Sequence, residues 1–412
     1  MTAVPLPTGS WRTADPHASC KRLVNCFSEL APQASQADSK QPMPPVFLRR
    51  APGILAWAND GTTNPARGAF MMQGVLYAVI GPVLYQVAIT GAMTQLTNGI
   101  GGSGPVRMSG NGYCLVIIIP GTNVGYTWDQ ADGLLPITAS VFTTFGAQDL
   151  GFIDSYIVFL ALNGLEIYNS DSQAVSLQGP LTFTNPSEFP REFGTDPFVA
   201  MSINHRIITC FGELTSEQYI DAGNTVGSPF VNAPNSLIQR GCVAPLTVAI
   251  INQTQFWLGD DRIVYMMNGQ TPQRVSNHGI ENELQQANLT RAYAYGFSIG
   301  GHPFFCLTLP AANATPLGPR TFGYDCATTE WTEFETLNLG YWRPVFCVNA
   351  YGLQVVGDSQ SGQLGILNTN VFTDFGEVRR AQWTTQSVYS QHNRIAHKRL
   401  ECIIGGGQGT PT

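Results

Sequence analysis

The chain is a succession of short apolar runs separated by turns that are polar or contain glycine. In "MMQGVLYAVIG", "SGNGYCLVIII" and "FIDSYIVFLAL", a turn precedes an apolar run, and a more polar stretch follows downstream. Short runs bounded by turn residues predict β-hairpins, whereas amphipathic helices repeat apolar residues about every three to four positions. The stretch "GIENELQQANLTRAY" is the exception, with room for a turn or two of helix. The pattern therefore predicts an all-β protein.

The hairpins recur when the chain is aligned on a residue that lies three positions before an acidic or amide turn. The intervals between successive aligned residues run from 41 to 57 positions. The aligned residues are Tyr85, Tyr126, Tyr168, Tyr219, Tyr265, Phe322 and Gly365. A period of about 40 to 50 residues, with four short strands in each unit, is typical of β-propeller blades. We therefore predict a β-propeller of seven four-stranded blades. Six or eight blades remain open, because the first and last units fit least well.

The turn after each aligned residue has a structural explanation. Asx side chains accept hydrogen bonds from backbone N–H groups two residues on, and so cap tight turns. We predict that such residues cap the turn into the outermost strand of a blade, and that the preceding aromatic residue packs between blades. The repeat is then a folding device without chemistry of its own. Five units carry the Asp or Asn at the third position after the aligned residue: Asp129, Asp171, Asn268, Asp325 and Asn368.

The segments on either side of the repeats differ from them in composition. Residues 1–46 are rich in Pro, Ser and Gln and predict an extended N-terminal arm. The apolar residues Trp11 and Phe27 indicate that this arm lies on another surface. Residues 47–381 form the predicted propeller. We predict that residues 382–412 form a strand that leads out of the propeller, followed by a flexible end. The alternative is that this segment is the start of a truncated distal β domain.

Charge limits the partners that the protein can bind. The net charge is −7, the isoelectric point is about 5.4, and charged residues make up 12% of the chain. A protein that holds nucleic acid through its phosphates needs a basic surface, which this composition does not provide overall. We interpret a basic cluster near the C-terminus as a partner-binding surface, with a solvated strand face as the equally weighted alternative. The cluster consists of Arg379, Arg380, Arg394, His397, Lys398 and Arg399.

Cysteine usage and hydropathy bear on the cellular compartment. The nine cysteines are odd in number, form no Cys-x-x-Cys motif, and in several cases lie inside apolar runs. Such cysteines behave as small buried hydrophobes, so the composition favours a reducing compartment over a disulfide framework. The N-terminus shows no signal-peptide pattern, and the apolar runs are too short to predict a membrane span.

The sequence contains no pattern that predicts catalysis. The Asp-box of sialidase-type propellers and the Gly-rich phosphate-binding loops are both missing from the sequence. His302 and Cys306 would share one strand face, where core packing is favoured over metal binding. We therefore predict no catalytic, cofactor-binding or metal-binding residues and no enzymatic activity. Solvated loops explain the neighbouring carboxylates better than an acid–base pair does; these are Asp149 and Asp154, Glu188 and Glu192, Asp260 and Asp261, and Glu281 and Glu283.

Two N-terminal stretches, "LVNCFSELAP" and "FLRRAPGI", resemble the opening of the packaged-DNA stabilisation proteins of short-tailed bacteriophages. These proteins are also called tail accessory or tail nozzle proteins. Further along, "ELTSEQYIDAG" resembles a central blade of that family, and "FWLGDDRIVYMMNGQTPQRVSNHGIENEL" resembles its next blade. The stretch "HNRIAHKRLEC" is similar to the strand after the propeller, which a further strand-rich domain follows in that family. The shared order of these motifs covers nearly the whole chain.

The resemblance implies a structural virion protein that is made in the bacterial host cytoplasm and lies in the phage tail. It implies a homo-oligomer, a ring of six below the portal-adaptor ring, that extends the DNA channel, retains packaged DNA and allows its ejection. It also implies contacts with a tail needle or plug or with fibre or spike proteins, while double-stranded DNA passes through the lumen without sequence-specific binding. The residues that we expect at partner interfaces are Trp11, Phe27, Arg379, Arg380, Arg394, Lys398 and Arg399.

Two other classes of function stay open on the residues alone. One is a tail protein that binds or degrades host glycans, and a degrading enzyme would need acid and base residues converging at the mouth of the propeller. The other is a cytosolic interaction propeller, which we expect to be monomeric. A size measurement separates a ring-forming protein from a monomeric one, and a screen on bacterial surface glycans tests the glycan hypothesis.

Overall fold

The computed structural model describes residues 7–12, 20–30, 46–172, 181–184, 187–224, 227–316 and 318–385. Most of the strands lie in antiparallel four-stranded sheets that are arranged as the blades of a propeller. We label the strands of each blade a to d, from the axis outwards. The predicted fold class, an all-β propeller with four-stranded blades, is confirmed.

Six blades are each made from one continuous stretch of the described chain. Blades 1 to 3 contain, in order, Ala66–Met72, Val75–Ile80, Val83–Val87 and Met93–Asn98; Arg107–Gly110, Leu115–Ile118, Gly125–Asp129 and Gly133–Pro136; Asp149–Ile153, Tyr156–Leu160, Glu166–Asn169 and Glu188–Pro190. Blades 4 to 6 contain Phe198–Asn204, Ile207–Gly212, Ser216–Asp221 and Phe230–Asn232; Ala249–Ile251, Thr254–Leu258, Val264–Asn268 and Thr271–Arg274; Tyr293–Ile299, His302–Leu309, Arg320–Asp325 and Glu330–Glu333.

One further blade, blade 7, is composite. Its strands a to c come from the C-terminal part of the chain, whereas strand d comes from the N-terminal part and runs antiparallel to strand c. Strand a of blade 7 contacts strand a of both blade 6 and blade 1, so hydrogen bonds between distant parts of the chain close the ring. The four strands are Pro344–Ala350, Leu353–Asp358, Gln363–Asn368 and Gly53–Asn59.

Burial explains the order of apolar and polar runs in the sequence. Strand b of blade 2, Leu115–Ile118, is fully buried, because a neighbouring blade covers each face of an inner strand. Strand d of blade 1, Met93–Asn98, is half-buried or exposed along its length. Inner strands therefore appear as continuous apolar runs and outer strands as mixed ones.

The aligned residues of the sequence repeat all lie in strand c of successive blades. Among the described residues, the predicted caps are present in three of the five units. Asp129 Oδ1 accepts a hydrogen bond from the N–H of Ala131 at 2.8 Å, two residues on. Equivalent bonds join the side-chain oxygens of Asp325 and Asn368 to the backbone two residues later. The aromatic residue also packs between blades, since Tyr168 of blade 3 lies in one apolar cluster with Ile118 of blade 2.

Helices are short and lie in the linkers between blades. Helix α1 spans Ser140–Phe145, a 3-10 turn spans Pro245–Thr247, and helix α2 spans His278–Gln285. Helix α2 falls within the stretch for which the sequence predicts helix. It begins after Asn277, whose Oδ1 accepts a hydrogen bond from the N–H of Ile280 at 3.0 Å.

Strands from both ends of the described chain extend blade 6 and blade 7. Cys20–Val24 pairs in parallel with strand d of blade 6 at Val24 and Glu333, so blade 6 continues outwards into the predicted arm. The described parts of the arm and of the predicted exit strand therefore meet on the outside of blade 6. The remaining terminal strands are Trp11–Arg12 and Gln382–Thr384, which both pair with Cys20–Val24; Cys26–Leu30, which pairs with Val46–Arg50; and Thr373–Asp374, which pairs with Glu377–Val378.

Candidate functional site: a terminal junction and an axial cavity

The terminal segments meet around Asn25, at the outer edge of blade 6. Its Nδ2 donates hydrogen bonds to the carbonyl oxygens of Glu335 (2.8 Å) and Arg380 (2.7 Å), and its Oδ1 accepts one from the N–H of Glu335 (3.0 Å). Asn25 is almost fully buried and has a φ of 55°, a conformation that Asn tolerates better than most residues. This explains the Asn in "LVNCFSELAP". We call Arg22, Asn25, Glu333, Glu335 and Arg379 the terminal junction.

Glu333 is the carboxylate at the centre of the terminal junction. It accepts hydrogen bonds from the guanidinium of Arg22 in the N-terminal strand and from Nη1 of Arg320 in strand c of blade 6, the latter at 2.8 Å. The side chains of Arg22, Arg320 and Glu333 are all largely buried. Glu333 therefore ties the N-terminal strand to the body of the propeller by charge-assisted hydrogen bonds.

The structure corrects the predicted role of two interface residues, Phe27 and Arg379. Phe27 is 4% exposed and packs edge-on against Phe304 of blade 6, with ring centres 5.3 Å apart. Arg379 is 5% exposed, and donates to Asn25 Oδ1 at 2.6 Å and to the carbonyl oxygen of Pro52. Both side chains are enclosed by their own chain, so neither offers a surface to a partner. Burial lowers the pKa of Arg379, although Asp374 nearby opposes the effect.

The remaining predicted interface residues have different environments. Trp11 is half-buried and lies opposite Lys21 in the outermost strand pair. Arg380 is exposed, and its Nη2 donates to both carboxylate oxygens of Glu335, at 2.9 and 3.0 Å. Arg379 and Arg380 therefore lie at the same junction, where Arg379 is buried and Arg380 is exposed. The other three predicted residues, Arg394, Lys398 and Arg399, lie outside the described residues.

An axial cavity of about 660 Å³ opens where strands a begin. Strand a of every blade lines it, and the turns between strands b and c of blades 6 and 7 contribute Pro310, Ser359 and Gln360. We call the end of the propeller that carries these turns and the linkers between blades the linker face. Concave sites of about 300 to 1,000 Å³ are the usual size for small-molecule ligands.

The charged residues lining the cavity are Arg67, Arg107, Arg291 and Asp149, a sum of three positive charges and one negative. Arg67 is 4% exposed, and its guanidinium donates to the carbonyl oxygens of Gly81, Gly101 and Gly104 at 2.6 to 2.8 Å. It forms no ion pair with a described residue, and burial lowers its pKa. Carbonyl dipoles alone therefore stabilise this buried charge, and its positive potential extends into the cavity.

Arg107 and Asp149 face each other across blades 2 and 3. Arg107 Nε lies 3.6 Å from Asp149 Oδ1, too far for a hydrogen bond, and this buried nitrogen has no hydrogen-bond acceptor among the described residues. Asp149 is buried, and accepts from the N–H of Leu150 (3.0 Å) and of Met201 in blade 4 (3.4 Å). Burial raises the pKa of Asp149, and the charge of Arg107 opposes that rise.

Several of the neighbouring carboxylates of the sequence have structural partners. Glu281 accepts hydrogen bonds from Arg274 Nε and Ser276 Oγ, both at 2.7 Å, beside helix α2. Asp261 accepts from the hydroxyl of Tyr265 at 2.7 Å, and Asp260 accepts from the N–H of Gly241 at 3.0 Å. Among the described residues, no group of three or more His, Cys, Asp or Glu side chains could hold a metal ion. No described helix has the length and apolarity needed to cross a membrane.

A row of exposed apolar side chains lies on the linker face of blades 2 to 4. We call this set the apolar row, and its most exposed members are Leu214 (62%) and Phe193 (52%). Backbone hydrogen bonds from Phe198 to Gly164 and from Glu213 to Pro197 join each turn to the next linker, so the side chains lie on neighbouring segments. Contiguous exposed apolar surface marks binding surfaces. The members of the row are Val124, Leu162, Leu165, Phe193, Leu214 and Leu237.

Glu217, in the motif "ELTSEQYIDAG", fixes the linker that carries Phe193. This fully buried carboxylate accepts hydrogen bonds from Arg191 Nε (3.0 Å) and from the N–H groups of Phe193 (3.2 Å) and Gly194 (2.8 Å). The hydroxyl of Tyr219 donates to it as well, at 3.0 Å. The polar centre of the motif therefore holds the linker rigidly, with Phe193 exposed.

The axial cavity and the apolar row were not predicted from the sequence. The cavity residues are far apart in the chain and meet only when the ring closes, so no local spacing indicates them. The apolar row had a weak signal, namely Leu or Phe inside turns such as "ALNGLE" and "REFGT", where polar residues are more usual. Arg22 and Asn25 were not predicted either, although Asn25 lies in the motif "LVNCFSELAP".

The family described as "Bacteriophage P22 Gp10, beta-propeller" matches residues 29–372 of the chain. No curated protein matches the sequence. Solved structures with a similar fold include a streptogramin B lyase, with a TM-score of 0.48 and 11% identity over 76% of this chain and 97% of that chain. A catalytically inactive virginiamycin B lyase from Staphylococcus aureus with quinupristin has a TM-score of 0.49 and 9% identity over 76% and 98% of the two chains. BamB from Moraxella catarrhalis has a TM-score of 0.42 and 11% identity over 89% and 94%.

Proposed function

Because the chain belongs to the family of the bacteriophage P22 Gp10 β-propeller, a family of phage structural proteins, we propose that it is a tail protein whose copies form a ring around the DNA channel. In this role it lies below the portal-adaptor ring, retains the packaged DNA together with a plug or needle protein, and allows ejection. The observation that carries the proposal is the family match, which spans the propeller from the arm to blade 7.

The size of the axial cavity supports a channel built between copies. The cavity measures about 660 Å³, the size of a small-molecule site. A DNA duplex is wider than its major groove, which is itself about 12 Å wide. A duplex is therefore too wide to pass along the axis of one propeller. If double-stranded DNA passes this protein, it does so through a lumen that several copies surround. Six copies is the number that we propose.

The charge of the protein supports passage without retention. Basic surfaces hold DNA by releasing counterions, and this makes binding tight and dependent on salt. The chain carries a net charge of −7, so its surface offers little of that attraction. A ring of such chains confines a duplex sterically and leaves it free to slide.

The apolar row is the surface that we propose for assembly. It lies on one face of blades 2 to 4, whereas the terminal junction extends blade 6, so the two regions occupy different sides of the propeller. Contacts that join different surfaces of identical chains generate rings when the rotation closes. We expect the row to contact a neighbouring copy or the adaptor ring, with Trp11 and Arg380 contributing from the other side.

We also propose that the protein is not an enzyme. Three of the candidate carboxylates are engaged in structural bonds: Asp149 with the backbone, Glu281 with Arg274, and Asp261 with Tyr265. Glycosidases instead place two free carboxyl groups on either side of a bond, at about 5 to 9.5 Å from each other.

A phage that lacks the gene for this chain tests the proposal. Particles made without the protein should package DNA but lose it, and adding purified protein before DNA loss should restore infectivity. Mass measurement of the purified chain, alone and with adaptor protein, should show the ring. The Leu214→Ser and Phe193→Ser variants should fold but fail to restore infectivity, whereas Leu135→Ser, at an exposed apolar residue outside the row, serves as the control. Stable, infectious particles without the protein would refute the proposal.

A further inference from the structure

The axial cavity combines a shape suited to small ligands with a positive charge that the protein does not neutralise. Its charged lining consists of three arginines and one aspartate, which leaves two positive charges in excess in a chain of net charge −7. Like charges that converge on one cavity repel each other, and the repulsion is stronger where the protein reduces contact with water. The lining of the cavity is therefore positively charged although the whole protein is negatively charged, and this difference requires an explanation.

Arg107 is the first donor available to a ligand. Its Nε is buried, without a hydrogen-bond acceptor among the described residues, and its terminal nitrogens also donate to none of them. A guanidinium carries five N–H donors in a fixed plane, so Arg107 has unused donors at the cavity wall. Asp149 lies on the Nε side, at 3.6 Å, and leaves the far edge of the guanidinium accessible.

Arg291 is the second available donor, and it stands across the axis from Arg107. It precedes strand a of blade 6, whereas Arg107 begins strand a of blade 2, three blades away on the shorter path around the ring. Its side chain is exposed and forms no hydrogen bond or ion pair with a described residue. Opposed guanidinium groups favour a ligand that carries negative charge at both ends, because each makes strong, two-pronged bonds to carboxylate or phosphate oxygens.

The walls between these arginines carry both apolar and polar groups. Leu150, Met201, Ile250 and Val345 line the cavity, and Ile250 is 40% exposed although it lies on an inner strand. The hydroxyl group of Tyr341 and the amide of Gln360 add neutral polar groups, which hydrogen-bond to each other at 2.9 Å. The apolar part of the lining offers a surface to the short hydrocarbon body of an organic anion, which an inorganic ion lacks.

We propose that the axial cavity binds a small organic dianion, with carboxylate or phosphate groups held by Arg107 and Arg291 and an apolar body against Ile250. Arg67 adds to the positive potential but donates to no ligand, because backbone carbonyls already accept from its guanidinium. The site is independent of the proposed function in the tail, since it is formed within one propeller.

Calorimetric titration of the purified full chain at low salt tests the site. The probes are succinate, inorganic phosphate and butane-1,4-diol, the last being an uncharged match for succinate. Succinate should bind saturably and the diol should not. Binding of phosphate as tight as that of succinate would assign the site to inorganic anions and contradict the role of the apolar walls.

Three variants identify the groups that bind. Arg107→Gln and Arg291→Gln should each weaken succinate binding by about tenfold, the effect of losing one hydrogen bond to a charged group. Arg206→Gln is the matched control, because Arg206 is an exposed arginine that pairs with Asp154 away from the cavity. If Arg107→Gln does not fold, Arg291→Gln still tests the proposal, because the side chain of Arg291 forms no hydrogen bond with a described residue and its loss should not affect folding. Lack of saturable binding at millimolar succinate, or equal weakening by Arg206→Gln, would overturn the proposal.

Discussion

The carboxylate of Glu333 accepts three hydrogen bonds from the guanidinium of Arg22, from Nε to both oxygens at 3.0 Å and from Nη2 to Oε2 at 2.7 Å. The two residues are 311 positions apart, and they join the N-terminal strand to strand d of blade 6. The arm that the sequence places outside the propeller is therefore bonded to it through a largely buried ion pair.

The first prediction concerns this pair. Glu333→Gln should lower the free energy of unfolding by about 3 kcal/mol, because it leaves the guanidinium groups of Arg22 and Arg320 buried without their carboxylate. Urea unfolding followed by circular dichroism measures the change.

Asp154→Asn is the control for Glu333→Gln. It removes the carboxylate of a pair with Arg206, whose side chain is 77% exposed, and exposed pairs contribute about 1 kcal/mol or less. Equal effects of the two substitutions would show that the ion pair at Glu333 has no special importance.

The propeller was predictable because its signals are local. Each blade carries its own hairpins, and five units carry an Asp or Asn three residues after the aligned residue, so residues such as Tyr168 and Asp129 could be aligned from spacing alone. The terminal junction and the axial cavity were not predictable in this way. Phe27 and Arg379 were placed on the surface because their burial depends on blade 6 and Trp342, which are distant in sequence. Arg107 and Arg291 meet only through closure of the ring.

The second prediction concerns the aromatic residue of the repeat. Tyr168 is fully buried, its ring is stacked on Phe159 at 5.1 Å, and its hydroxyl donates to the carbonyl oxygen of Gly146 at 2.7 Å. Tyr168→Ala should cost about 3 to 5 kcal/mol through the cavity that it leaves. Tyr168→Phe keeps the ring and should cost about 1 kcal/mol for the hydrogen bond. Tyr126→Ala should cost less than Tyr168→Ala, because Tyr126 is only half-buried.

The third prediction concerns the arm. Deletion of residues 1–40 should destabilise blade 6, because it removes Phe27 from the core and Asn25 from the terminal junction. Phe27→Ala in the full chain should cost about 3 to 5 kcal/mol for the same reason. Limited proteolysis should then cleave the chain near blade 6 first. A truncated protein with the stability of the full chain would contradict the packing of the arm.

The fourth prediction concerns cysteine reactivity. The eight described cysteines are unpaired, and burial raises the pKa of the thiols of Cys114 and Cys242 to about 11. The thiolate is the nucleophile, so these residues should resist alkylation by iodoacetamide at neutral pH in the native protein. Cys20, which is half-buried in a terminal strand, should react first. Peptide mass spectrometry of native and urea-unfolded samples gives the extent at each residue, and rapid native labelling of Cys114 would contradict the closed core.

The last prediction concerns the dependence of stability on pH at Asp149. Burial raises the pKa of this carboxyl in the folded state above its unfolded value of about 3.9, with Arg107 acting in the opposite direction. The folded state therefore binds the proton more tightly, so stability is greatest below the unfolded pKa and falls as pH rises through the folded pKa. The Asp149→Asn side chain cannot ionise, so the variant should not show this decrease in stability. Between the unfolded and the folded pKa of Asp149, the stability of the variant relative to the native chain should therefore rise with pH. Urea unfolding at a series of pH values measures the difference, with Asp132→Asn, which changes an exposed carboxylate, as the matched control. Parallel pH profiles for the native chain and Asp149→Asn would contradict this account.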